Sequence, residues 1–202
     1  MSSPSAWCRA RPPALGAVLA ALAIALAEGA SAAPAAAQAP GRGCPGANMP
    51  TRSAPMEEIR TAVICLVNRE RAVRHLPALR QSYALDRSAQ EWSRTMVQTD
   101  TFSHGASFTT RITAAGLRWS VAGENIATGS ATARDVVAAW MHSAGHCRNI
   151  LDPEFRVIGV GMDPRPVRGW ANGPATWTED FALPAGRHAP SRNWAPANGC
   201  PH

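Results

Sequence analysis

Residues 122–127 read Ala122-Gly123-Glu124-Asn125-Ile126-Ala127, and residues 140–151 read Trp140-Met141-His142-Ser143-Ala144-Gly145-His146-Cys147-Arg148-Asn149-Ile150-Leu151. Upstream stands Phe102-Ser103-His104, and downstream stand Gly159-Val160-Gly161 and Trp177-Thr178-Glu179-Asp180-Phe181. Among these residues the imidazoles of His104 and His146 and the carboxylate of Glu124 stand beside small turn-forming residues.

Working outward, periodicity sets the elements. Pro55 in a first turn, Glu57 and Glu58 at the positive end of the dipole, and the stripe Ile59, Val63, Leu66, Val67, Val73 predict an amphipathic helix over 56–74, stopped by Pro77. Leu85, Ala89, Trp92 and Met96 recur on one face and predict a second helix over 83–98, with the Trp and Met as core. A short third helix is expected over 109–115, ended by Gly116. Thr132 and Asp135 form a start signal for a fourth, with Val136, Val137 and Trp140 facing inward. Residues 118–127, 156–162 and 175–181 carry the β-branched, aromatic and glycine pattern of strands. Helices and strands mixed over short connections predict helices packed on a sheet, an α+β fold.

The ordered motifs resemble the bacterial branch of the CAP superfamily, secreted proteins related to cysteine-rich secretory proteins, venom antigen 5 and plant pathogenesis-related proteins. The resemblance covers residues 56–182. It implies an α-β-α sandwich in which a small antiparallel sheet lies between helical layers. It also implies a central cleft lined by His104, Glu124 and His146 that can hold a divalent metal. The family's second acid, which follows the Trp of the fourth helix, is missing, for Met141, His142 and Ser143 stand there.

The ends carry other signals. Arg9 and Arg11 precede an apolar run from Leu15 to Ala27, and Ala30-Ser31-Ala32 offers an A-x-A site, so residues 1–32 read as a signal peptide. The run is too short to span a bilayer comfortably. Residues 33–55, rich in Ala, Pro and Gly, are expected to be a flexible spacer, and residues 183–202 a similar tail. The expectation is a secreted monomer, extracellular or periplasmic.

After the leader, with its Cys8, four cysteines remain, which suits an oxidising compartment. The expected pairing is Cys65 with Cys147, joining the first helix to the His146 segment, and Cys44 with Cys200, tying two loose tails. No C-x-x-C spacing supports a cysteine metal site. The net charge of +6 comes from twenty arginines with no lysine, spread along the chain, whereas a nucleic-acid interface needs them clustered with aromatic partners. Nucleic acid is therefore excluded as the partner. Weak, salt-screened attraction to anionic wall polymers or membrane surfaces is expected instead.

The chemistry is expected in loops carrying His104, Glu124 and His146. Two histidines and one carboxylate are too few for a closed structural zinc site but suit an open one completed by water, with His104 and His146 as ligands and Glu124 as the base. Without a metal, the histidines would hydrogen-bond to Glu124 and to backbone. His142 is expected at the surface, Asn125 as a turn residue, and Glu179 on an exposed strand face. Ser103 and Ser143 lack the G-x-S-x-G elbow of a serine hydrolase. Three function classes follow: a secreted module binding a lipid, sterol or cell-wall fragment; a metal-dependent hydrolase of peptides or wall material; and a disulfide-braced interaction domain with an inert cleft.

Overall fold

A computed structural model describes residues 9–10, 43–188 and 199–200. The expected leader, apart from residues 9–10, and most of the expected tail lie outside the described residues. In chain order the elements are β1 (Arg9–Ala10), α1 (Met56–Ala72), β2 (Arg80–Gln81), α2 (Tyr83–Gln98), α3 (Phe108–Ala114), β3 (Trp119–Thr128), α4 (Ala133–Met141), α5 (Ala144–Ile150), β4 (Val157–Asp163) and β5 (Thr176–Pro184). The sheet order is β1-β3-β5-β4-β2. The central strands are antiparallel, and β2 joins the edge of β4 in parallel. Helix α2 covers one face, while α1, α4 and α5 cover the other, giving the expected α-β-α sandwich.

Glycines set how closely the layers approach. A Cβ at Gly159 would overlap the α2 backbone at Leu85 and Asp86, and one at Gly161 would overlap it at Ala89 and Gln90. Helix α2 therefore rests directly on β4. Its polar side chains then serve the part of the β4 edge that two-residue β2 leaves unpaired: Asp86 Oδ1 accepts from the Val160 amide at 2.9 Å, and Gln90 Nε2 donates to the Met162 carbonyl at 2.7 Å. Arg60 of α1 reaches the Val160 carbonyl at 3.0 Å. A buried edge needs such partners, since each orphaned backbone group there costs about 1–3 kcal/mol.

The opposite face carries the larger core, in which Ile59, Val63 and Val67 of α1 pack with Trp140, Ile158 and Phe181. Buried Arg71 bonds the carbonyls of Ile150 and Asp152 at 2.7 and 3.0 Å, capping the end of α5. Thr132 caps α4 as expected, its hydroxyl accepting from the Asp135 amide at 3.1 Å.

Two expectations fail here. Residues 43–55 pack rather than float: Cys44 and Ala47 are buried, and the Ala47 carbonyl accepts from the Arg134 amide at 2.9 Å. The disulfides are Cys44–Cys65 and Cys147–Cys200, not Cys65–Cys147 and Cys44–Cys200. The reason is that each tail docks on the core instead of on the other tail. The segment around Gly46 runs along α1 near Glu58 and Ala62, which brings Cys44 to Cys65. Arg74, just past that helix, bonds the Gly199 carbonyl, and the adjacent Cys200 meets Cys147 in the middle of α5.

Candidate functional site

Glu124 lies in the middle of β3, not in a loop, and its side chain is fully buried. Gly123 beside it is a strand-interior glycine, because a Cβ there would stand 2.8 Å from the Phe155 ring. Alternation sends Glu124 to the α2 face, where its neighbour on β5 is Asp180, and sends Asn125 to the opposite face beside Glu179.

The loop after α2 brings His104 onto Glu124. Trp92 Nε1 donates to the Ser103 carbonyl at 3.0 Å, and Gly105, at φ +70°, turns the chain where a side chain would strike the Trp92 ring. His104 Nδ1 then meets Glu124 Oε1 at 2.7 Å. Arg111 of α3 completes the array. Its guanidinium stacks 3.9 Å above the Trp92 ring, Nη1 donates to the His104 carbonyl at 3.0 Å, and Nη2 donates to Glu124 Oε2.

His146 belongs to the first turn of α5 rather than to a loop. Its carbonyl accepts from Asn125 Nδ2 at 3.2 Å. One turn on, Asn149 Nδ2 donates to the Glu124 carbonyl at 3.1 Å and to Asn125 Oδ1 at 2.9 Å. The two motifs thus meet through Asn125 and Asn149, which fasten α5 to β3. Asn125 is structural, as expected, but it bridges elements instead of serving a turn. Its Nδ2 also donates to Glu179 Oε2 at 3.0 Å, so Glu179, expected on an exposed face, is wholly buried.

Burial dominates the charge states. His146 is pushed down to about 4, by burial first and by the nearby His104 second. Burial, then Arg111, also lowers His104. Both imidazoles are therefore neutral near pH 7. Glu124 is pushed up to about 7 by burial, against the pull of Arg111, and burial with the adjacent Glu124 charge raises Asp180 well above the usual carboxylate range. The Glu124 charge thus disfavours ionisation of Asp180 beside it. Ser88 faces Asp180, but neither oxygen of Asp180 reaches hydrogen-bond geometry. Glu179 is pushed up to about 8 by burial.

With Glu124 ionised, Nδ1 of His104 carries the proton and Nε2 is left as an acceptor, an assignment set by the network. His104 keeps 17% of its side chain exposed, and no hydrogen bond among the described residues engages Nε2. Beside this loop Phe102 meets Trp170 at 5.5 Å between ring centres, and Trp170 is 53% exposed. His142 caps α4, its ring bonded to the Ala138 carbonyl, and stays at the surface as expected. Ser103 Oγ accepts from the Gly105 amide. Ser143 is the N-cap residue of α5.

The metal expectation meets an obstacle. Among the described residues no group of three or more His, Cys, Asp or Glu side chains is placed to hold a metal ion. Both Glu124 oxygens are engaged, one by His104 and one by the Arg111 cation. This donor set does not fit a three-ligand centre. Sequence reasoning missed Arg111, Asn149 and Asp180. Of these, Asn149 could have been found from its place one turn after His146.

The family model "Cysteine-rich secretory protein family" (CAP) matches residues 65–181. An uncharacterized protein of Bacillus subtilis, YkwD, is 36% identical over 138 residues, which are 65% of this chain and 50% of that protein. The chain thus spans about half the length of that relative. Among solved structures, an outer surface protein of Borrelia burgdorferi aligns with TM-score 0.57 at 18% identity, over 65% of this chain and 96% of that one. An extracellular SCP-domain protein of Bacillus anthracis aligns with TM-score 0.54 at 22% identity, over 64% of this chain and 44% of that one. These two show the shared fold. With most of its folded part matched by the family model and the family's motifs assembled around β3, the chain belongs to the cysteine-rich secretory protein (CAP) family.

Proposed function

We propose that this domain is exported and, as a monomer, binds a neutral, hydroxyl-rich ligand of the cell-wall glycan class in the cleft between His104 and His146. The observation that carries the reading is the pair of uncharged imidazoles, one held through Nδ1 by buried Glu124. With Nδ1 committed to Glu124, His104 offers Nε2 as the acceptor for a sugar hydroxyl; an imidazolium pair would call for an anion. The exposed Trp170 beside Phe102 supplies an apolar face of the kind on which a sugar ring stacks. Beneath it Met96, Ile126 and Val167 are closely packed, which favours a glycan over a sterol or acyl chain.

Binding is favoured over turnover. The His104–Glu124 contact has the form of a base and its orienting acid, but Ser103 Oγ accepts from the Gly105 amide and no hydrogen bond among the described residues joins a nucleophile to His104. Export agrees with the two disulfides and with relatives described as extracellular or outer-surface proteins. The test is a titration with N-acetylglucosamine oligosaccharides, followed by tryptophan fluorescence, with sterol and phospholipid vesicles in parallel. Saturable binding that weakens at least fivefold in Trp170→Ala and His146→Ala is expected. Binding of vesicles alone, or of neither probe, would overturn the reading.

A further inference from the structure

A concavity lies at one end of the sheet and shares no residue with the His104–Glu124 array. It has a volume of about 450 Å³, and its lining includes Arg80, Arg156, Arg187 and His188. The fold brings these side chains together from three strand ends. The Arg80 amide at β2 donates to the Arg156 carbonyl at 3.0 Å, and the Arg156 amide, just before β4, donates to the Ala182 carbonyl of β5 at 2.9 Å. Past the end of β5 the chain turns back through Gly186, at φ +78°, and the Arg187 amide bonds the Pro184 carbonyl at 3.2 Å.

Among the described residues no carboxylate lines this cavity, and no ion pair engages Arg80, Arg156 or Arg187. Arg156 is half-buried and fixed, its Nη1 donating to the Pro153 and Phe155 carbonyls at 2.7 and 2.8 Å. Three permanent positive charges around one hollow repel each other, and nothing in the lining offsets that repulsion. Guanidinium forks match the oxygens of a phosphate in paired hydrogen bonds. The volume exceeds what a bare ion fills and lies within the range of small-molecule sites, roughly 300–1,000 Å³.

We infer that this cavity binds an organic phosphate, a phosphoryl group carried on a small polar moiety, independently of whatever the His104 cleft holds. The phosphate would sit between Arg156 and the more exposed Arg80 and Arg187, with the attached group filling the remaining space. The same chemistry can come from a free phosphate ester or from a lipid headgroup.

Calorimetric titration of the full chain with glycerol 3-phosphate, and binding to phosphatidylglycerol vesicles with phosphatidylcholine vesicles as control, test the inference. The variants are Arg80→Gln and Arg187→Gln, singly and together, because both side chains are exposed and their loss leaves the core intact. Saturable binding of one probe with a dissociation constant of about 1 mM or tighter is expected, weakening as salt rises and falling at least tenfold in the double variant. Response to glycerol 3-phosphate names a free ester as the source, and response to the anionic vesicles alone names a headgroup. The inference is overturned if neither probe binds, or if the double variant, folded by circular dichroism, binds as the wild type does.

Discussion

Glu179→Gln is expected to stabilise the protein near neutral pH and to leave it unchanged in acid. Glu179 is wholly buried, its Oε1 has no hydrogen-bond partner among the described residues, and its carboxyl is raised from 4.5 to about 8. A raised carboxylate pKa means that the folded state holds a proton which the unfolded chain has released. Stability, relative to a side chain that never ionises, is therefore complete below about pH 4.5 and is lost as pH climbs towards 8. At pH 7 the unfolded group lies 2.5 units above its own pKa of 4.5, and the folded one is still mostly protonated. At 1.36 kcal/mol per unit this is about 3 kcal/mol of lost stability, which a neutral isostere recovers. Urea unfolding at pH 4, 5.5, 7 and 8, disulfides intact, reads the difference. Equal curves at pH 4, diverging in favour of the variant to about 3 kcal/mol at pH 7, are expected. A variant less stable than wild type by a constant amount at every pH would show that the carboxylate is ionised and held by its surroundings, and the reasoning would fail.

Three further outcomes follow from the same structure. Removing Cys147–Cys200 opens a loop of 53 residues and removing Cys44–Cys65 one of 21, so the chain-entropy relation gives losses of about 4 and about 3 kcal/mol in chemical unfolding; a Cys65–Cys147 peptide in a non-reduced digest would contradict the pairing. Gly161→Ala forces a methyl into the α2 backbone and is expected to cost about 3 kcal/mol, on the order of 10 °C in thermal midpoint, whereas Gly145→Ala, with open space around it, leaves the midpoint unchanged or raises it. The His146 imidazole, lowered to about 4, stays neutral down to about pH 5 in an NMR titration; because its folded pKa is depressed, the stability tied to it is lost as pH falls from 6.5 towards 4, and a midpoint near 6.5 would show that the ring is solvated.

The helices were legible because a buried stripe repeats every three to four residues. The expected span of α2, 83–98, matches its observed ends, and α1 falls two residues short of its expected end. The three long strands were legible from β-branched and glycine content. What failed depends on distant neighbours. Glu179 shares its face with Trp177 and Phe181, and helices cover both faces of β5, so alternation there sorts residues between two interiors. Residues 118–127 were read as a strand, yet Glu124 within them was expected in a loop; Gly123 beside it makes room for the Phe155 ring inside the strand. Arg111 sits on a short helix with no motif around it, and only the buried carboxylate it meets reveals its role. The disulfides followed the docking of two tails, which no local pattern encodes.

The central claim, that two neutral imidazoles and an exposed tryptophan form one ligand site, is tested most directly by following the His104, His146 and Trp170 ring resonances while an N-acetylglucosamine tetrasaccharide is added at pH 7. All three sets of signals are expected to move together along one saturation curve, with the His142 ring unaffected as an internal control. Rings that remain unmoved at saturating tetrasaccharide, or a His142 response equal to theirs, would contradict the account.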